Sequence, residues 1–229
     1  MYEFEREVKM LDKIRSEYII HFYGACFIPT KVCMVTEYAA FGSLQTLLEK
    51  RVTQPLNEKM RIKFMTDAAH GIQYLHENGI LHRDIKPDNF LIVSLEEDVR
   101  ANCKLTDFGS ARNINMIITN MTFTKGIGSP SYMAPELLKK QHYKKPADVF
   151  SFAITMYEFF SWSEAYPKQQ FKFPWKIAEF VMNGSRLPLD ELDPSIGEIV
   201  KMSWTQDPTN RLIINQIVDM LDSQYSNYD

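Results

Sequence analysis

Apolar residues recur every three to four positions along much of this chain, and that rhythm predicts where its helices lie. Over residues 2–15 the stripe is Phe4, Val8, Leu11 and Ile14, one face of an amphipathic helix. The rhythm then shortens. Two β-like runs, 19–27 and 31–38, flank Pro29-Thr30, which predicts a hairpin. Ser43 stands where it would cap a short helix bearing Leu44, Leu47 and Leu48. A long helix is expected over 58–78, with Ile62, Met65, Ala69, Ile72 and Leu75 on its buried stripe. Gly79 sits just past its end, where a left-handed cap is wanted. The runs at 90–94 and 103–108 read as paired strands around a charged loop. From Pro146 onward the pattern is helical, with breaks near Pro167, Pro174, Pro188 and Pro208. The sum is a small β-containing part followed by a larger, mainly helical one.

Composition narrows the class. With 45 % hydrophobic and 24 % charged residues, the 229-residue chain can bury a sizeable core and stay soluble. A net charge of −3 gives no electrostatic case for nucleic acid or an anionic membrane as the main partner. The longest apolar run, 149–160, contains Glu158 and is too short to span a bilayer; it suits a buried core helix. Met1 is followed by a charged, amphipathic segment, so no secretory signal is read there. Cys26, Cys33 and Cys103 are odd in number and lack Cys-x-x-Cys or Cys/His spacing. They are expected to be reduced core or strand residues in a cytosolic setting.

Three strings carry the chemistry: HRDIKPDN at 82–89, TDFGSAR at 106–112 and SPSYMAPE at 129–136. Phosphoryl transfer to a hydroxyl needs an acceptor for the hydroxyl proton, positive charge on the moving phosphate and oxygen ligands for a metal ion. The first string supplies a carboxylate, an ammonium and an amide within six residues, Asp84 to Asn89. Alone it would read as a polar turn after a helix, and Asp-Phe-Gly alone as an ordinary tight turn. In this order and at these gaps the three strings resemble the catalytic loop, metal-binding loop and activation segment of eukaryotic protein kinases.

That resemblance spans the whole chain and implies an α+β fold, protein-kinase-like and bilobal. Residues 1–38 would be what is present of the small lobe, a helix and two strands, and 39–229 the large helical lobe. It implies ATP and Mg²⁺ as cofactors and proteins bearing Ser or Thr as substrates. Asp84 would orient the attacking hydroxyl, Lys86 would meet the γ-phosphate, and Asn89 and Asp107 would hold magnesium. Glu7 would be the helix carboxylate that pairs with the ATP-binding lysine. Thr36, Glu37, Ala39 and Leu91 would surround adenine. His82 would stack on Phe108, and Arg83 would receive a phosphorylated activation loop, with Thr122 and Thr124 as acceptor sites. Ser129 occupies the position that contacts the catalytic Lys and Asp. Glu136 with Arg211 resembles a buried ion pair, and Asp148 the helix Asp that holds the catalytic-loop backbone.

Lys86-Pro87 resembles the serine/threonine type. FYGACF, EYAAFGSL and DVFSFAI look like the tyrosine-kinase-like group within it. Several departures stand beside these matches. No Gly-x-Gly-x-x-Gly occurs, and no Val-Ala-Ile-Lys lysine precedes Glu7, so the expectation is a kinase domain cut short at its N-terminus. Ala153 stands where Gly is common and Leu212 where Pro is common. Two readings follow. One is a cytoplasmic serine/threonine kinase domain, whether free or part of a larger protein, with no membrane contact by this segment. The other is a non-catalytic kinase-like binding or scaffold module.

Overall fold

The computed structural model describes residues 2–28, 31–50, 56–114 and 130–228. Helix α1 (Tyr2–Leu11) opens the chain. It ends short of residue 15 because its last turn tightens: Lys13 donates to Met10 O and Ile14 to Leu11 O, at 3.1 and 3.2 Å. Ile14 stays in the core even so. Strands β1 (Phe22–Ile28) and β2 (Lys31–Thr36) form the expected antiparallel hairpin. Ile19 and Ile20 belong elsewhere. Ile20 N–H donates to Leu105 O and Leu105 N–H to Tyr18 O, at 3.0 and 2.9 Å, which ties this stretch to the large part of the molecule.

Helix α2 (Leu44–Lys50) follows, its first turn fixed by Ser43 Oγ, which accepts from Thr46 N–H at 3.2 Å. Helix α3 (Glu58–Glu77) is the central post of the larger part. Asn57 caps its start by accepting from Met60 N–H at 2.7 Å. Gly79 has φ +68°, the left-handed turn that a side chain would resist. Gly71 is needed for a different reason: a Cβ there would come 2.9 Å from Tyr18 O, so only glycine lets α3 approach that segment.

Four short strands follow α3 in two ladders. β3 (Ile80–Leu81) pairs with β6 (Arg112–Asn113), and β4 (Phe90–Ile92) with β5 (Cys103–Leu105), both antiparallel. The β4–β5 pair was expected; β3–β6 was not, because two-residue strands carry no readable alternation. Asp67 of α3 anchors the start of β5, accepting from the N–H groups of Asn102 and Cys103 at 2.7 and 3.2 Å.

The rest is helical: α4 (Pro135–Leu138), α5 (Lys145–Ser161), α6 (Pro174–Met182), α7 (Pro194–Ser203) and α8 (Ile214–Ser226). Of the prolines read as breaks, Pro174 opens α6 and Pro208 a single 3₁₀ turn, while Pro167 and Pro188 lie between helices. Pro146 and Pro194 also lie in first turns, where a missing N–H costs nothing. Helix α5 is buried on nearly every side, including Phe150, Phe152, Ile154, Met156 and Phe159, each worth about 1.5–3 kcal/mol relative to exposure. Ala153 is fully buried among them. The α+β architecture expected from sequence is therefore present: a small strand-bearing part and a larger helical part.

Candidate active site

Two small ladders build the site. β3 ends one residue before His82, and its Leu81 pairs with Arg112, just beyond Asp107-Phe108-Gly109. β4 begins one residue after Asn89, and its Phe90 pairs with Leu105. Both ends of the two loops are thereby pinned together. Thr106 N–H donates to Asn89 O at 2.9 Å, which sets Asp107 beside Asn89. His82 reaches across to Thr106 O through Nε2 at 2.9 Å, and its ring meets Phe108 edge-on at 5.4 Å between centroids.

Within the 82–89 loop the side chains hold one another. Lys86 Nζ lies 2.8 Å from Asp84 Oδ2. Asn89 Nδ2 donates to Asp84 O at 2.7 Å and to Asp84 Oδ2 at 3.2 Å. With its amide nitrogen so committed, Asn89 has its amide oxygen to offer a cation. Asp107 adopts φ +60°, a region that Asp tolerates better than most residues, and its Oδ1 accepts from Gly109 N–H at 3.3 Å. Asn and Asp oxygens are hard ligands of the kind Mg²⁺ prefers, so this donor set fits that ion.

Beneath the loop lies Asp148 of α5, fully buried. Its Oδ1 accepts from Arg83 N–H at 2.9 Å and Tyr143 Oη–H at 2.8 Å. Its Oδ2 accepts from His82 N–H at 3.1 Å and pairs with His76 Nε2 at 2.9 Å. Burial alone would raise its pKa. The hydrogen bonds and charges of His76 and His82, with the Arg83 N–H, outweigh that and hold it below the ordinary carboxylate value. Arg83 itself has φ +73°, and its guanidinium lies over the Tyr143 ring at 5.5 Å.

The remaining predicted residues lie around this centre. Glu7 of α1 is half-buried and its pKa is raised, first by burial and then by the charge of Asp107, against a hydrogen bond from Phe108 N–H. Thr36 ends β2 and is exposed. Glu37 N–H is taken by His21 O at 2.8 Å, so its carbonyl is the main-chain group left for a ligand. The Glu37 carboxylate is held by Lys104 Nζ at 2.8 and 2.9 Å, a partner that sequence reasoning missed. Ala39 and Leu91 are half-buried, and Leu91 forms an isolated antiparallel bridge with Ser43. Thr122, Thr124 and Ser129 lie outside the described residues.

Comparison with known proteins decides the family. The pattern of the protein kinase domain matches residues 2–221. The chain belongs to the protein kinase family. It is 31 % identical over 231 residues to probable serine/threonine-protein kinase gdt2 of Dictyostelium discoideum, covering 99 % of this chain and 14 % of that protein. It is 30 % identical over 223 residues to serine/threonine/tyrosine-protein kinase HT1 of Arabidopsis thaliana, covering 96 % of this chain and 54 % of that protein. Against serine/threonine-protein kinase STY17 of the same plant the identity is 32 % over 221 residues, covering 96 % and 37 %. The chain therefore spans from about a seventh to about half of these relatives.

Two further features of this kinase domain hold the segment after the activation loop. Arg211 grips Glu136 with both terminal nitrogens, at 2.7 and 2.8 Å, in a buried fork that also reaches Pro146 O and Thr205 O. Breaking one partner of such a pair typically costs about 3–5 kcal/mol, because a buried charge is left behind. Glu158 of α5, which sequence reasoning left unassigned, accepts from Tyr132 Oη–H at 2.6 Å and Ala165 N–H at 2.9 Å. Burial pushes its pKa up to about 7; those two bonds oppose the rise, while Glu164 and Asp88 add to it.

A folded-state value above the ordinary 4.5 means that Glu158 favours folding most when protonated. Its contribution is complete below about pH 4.5 and is lost as pH rises towards 7. Urea unfolding at pH 5 and pH 8 is expected to show a drop in stability that shrinks in Glu158→Gln. An equal drop in both proteins would contradict the assignment.

Proposed function

We propose that this kinase domain transfers the γ-phosphate of ATP to Ser and Thr hydroxyls of proteins. The observation that carries the reading is the Asp84, Lys86 and Asn89 cluster with Asp107 set beside it. Asp84 Oδ2 is engaged by Lys86 and Asn89, which leaves Oδ1 to accept the proton of an incoming hydroxyl and to orient its oxygen. Lys86 places its charge where the transferring phosphate builds up negative charge. Asn89 and Asp107 would hold Mg²⁺, which when bound neutralises charge on the β- and γ-phosphates. Glu37 and Ala39 would offer main-chain groups to adenine, with Thr36 and Leu91 against the ring, while Glu7 faces the nucleotide from α1. Ser129 would contact Lys86 and Asp84. Arg83 would pair with phosphate on Thr122 or Thr124. On this reading residues 1–38 serve as the small-lobe part and 39–229 as the large lobe.

Support for the Ser/Thr preference is the Lys86-Pro87 pair and the similarity to serine/threonine-protein kinases such as gdt2 and STY17. Among the described residues no helix is long and apolar enough to cross a membrane. A cytoplasmic place for this domain, free or as part of a larger protein, belongs to the same proposal.

A second reading, a kinase-like binding module, draws on one observation: the Glu7 pKa is raised, first by burial and then by the charge of Asp107. An assay of the full-length protein separates the two. Incubation with γ-labelled ATP, Mg²⁺ and a generic protein substrate is expected to place label on Ser or Thr, seen by phosphoamino-acid analysis. Nucleotide binding without any transfer would favour the module.

A further inference from the structure

The hairpin brings two of the three cysteines face to face. In the β1–β2 register Cys26 is the direct cross-strand partner of Cys33. Residues directly opposite in an antiparallel pair share a face, with Cα atoms about 4.5–5.5 Å apart. That lies inside the Cα separation of about 4.4–6.8 Å which a disulfide spans without backbone movement. Both thiols are free and exposed, whereas Cys103 is free and buried.

The face they occupy is the outer one. Phe27 meets Phe4 of α1 at 5.4 Å between ring centroids, and Met34 packs on the core. Phe27 pairs with Val32, and Ala25 with Met34, so these positions alternate with the cysteine pair. Side chains alternate across a strand, so Cys26 and Cys33 project away from α1, on the side that solvent reaches. The pair is thus neither a packing device nor part of the Asp84 cluster.

We propose that Cys26 and Cys33 form a reversible cross-strand disulfide when the protein meets hydrogen peroxide. One thiolate attacks a peroxide oxygen, breaking the O–O bond and releasing hydroxide, and becomes a sulfenic acid. The second thiolate attacks that sulfur, the S–O bond breaks, and hydroxide leaves. The two thiol protons and the two hydroxides make two waters. The thiols lose two electrons and the peroxide gains two. Disulfides of this exposed kind in reducing compartments are transient and sensing in character, and are the ones most easily reduced again.

A staple at this position also has a mechanical consequence. The hairpin is exposed on much of both faces, and such strands hold their register weakly. A bond between Cys26 and Cys33 fixes the register of the pair whose β2 strand ends at Thr36, next to Glu37. Oxidation is therefore expected to slow amide exchange over 22–36.

The test treats the folded full-length protein with hydrogen peroxide, alkylates remaining thiols and maps tryptic peptides without reduction. The expected product is a monomer in which peptide Ser16–Lys31 is linked to peptide Val32–Lys50. Of the three thiols of this chain, two should be lost to alkylation and Cys103 retained, with both recovered after dithiothreitol. Cys26→Ser and Cys33→Ser, both at exposed sites, should each fold normally and abolish the link. Sulfenic or sulfinic acid on either cysteine without a link, dimers joined through Cys26 or Cys33, or links to Cys103 would each overturn the proposal. So would an unchanged exchange rate in a sample shown to be linked, as regards the mechanical part.

Discussion

Replacing Asp84 by Asn is expected to lower kcat by about 10²–10⁴-fold, the usual worth of a positioned acid–base group. That is about 3–5 kcal/mol of lost transition-state stabilisation. The substitution keeps shape. An amide oxygen turned towards Lys86 and Asn89 still accepts from both, so the loop has no reason to rearrange. What is lost is the second anionic oxygen that would take the hydroxyl proton. KM for ATP should hold nearly constant, because the interaction removed is made only as the phosphate moves. Steady-state kinetics on the full-length protein, with thermal unfolding run in parallel, reads both quantities. A variant as fast as wild type would show that Asp84 is not the base. A variant equally slow but with its unfolding midpoint several degrees lower would show a structural role in its place.

The parts of this molecule that were readable from sequence are those whose logic is local. The stripe Ile62, Met65, Ala69, Ile72 and Leu75 lies on one helix and is buried as expected, and Gly79 takes the left-handed turn after it. The closeness of Asp84, Lys86 and Asn89 was readable for the same reason: they sit within six residues, and Lys86 and Asn89 both contact Asp84. Long-range partners were another matter. Nothing near Asp67 in sequence says that it holds Asn102 and Cys103, and nothing near Lys104 says that it holds Glu37. Those contacts exist only once α3 and the short strands are packed. The β3–β6 ladder, which joins the 82–89 loop to the one after β5, is too short to show a period. The Cys26–Cys33 pairing lies between these cases. The hairpin predicted from sequence sets it by counting, but the exposure that makes it chemically available follows from where α1 packs.

Asp148 joins fold and function most closely, and Asp148→Ala should injure both. In the native protein its two oxygens satisfy four donors from three places: His76 in α3, the His82 and Arg83 backbone, and the Tyr143 hydroxyl. Alanine leaves those donors buried without an acceptor, and each such group costs about 1–3 kcal/mol. The terms share one cavity and will not add in full, but a loss of roughly 4 kcal/mol or more of unfolding free energy is expected. Arg83 adds to this. A non-glycine residue at φ +73° stores strain that only surrounding contacts can hold, and its N–H bond to Asp148 is one of them. Released, residues 82–84 should relax, and a shift of about 1 Å at Asp84 would cost roughly 10²-fold in rate. Urea titration and kcat, measured on the same preparation below the unfolding transition, separate the two effects. Asp148→Asn should fall between, since one oxygen still accepts while the amide nitrogen faces donors. The pH dependence has a definite sign: a carboxyl held below its ordinary 3.8 supports the fold above that pH, and the support fades only as the solution becomes more acid. Wild type should therefore lose part of its advantage over Asp148→Ala under acid and keep it at neutrality. A variant that matched wild type in stability and rate at pH 7 would mean that the catalytic loop is held by something other than this carboxylate.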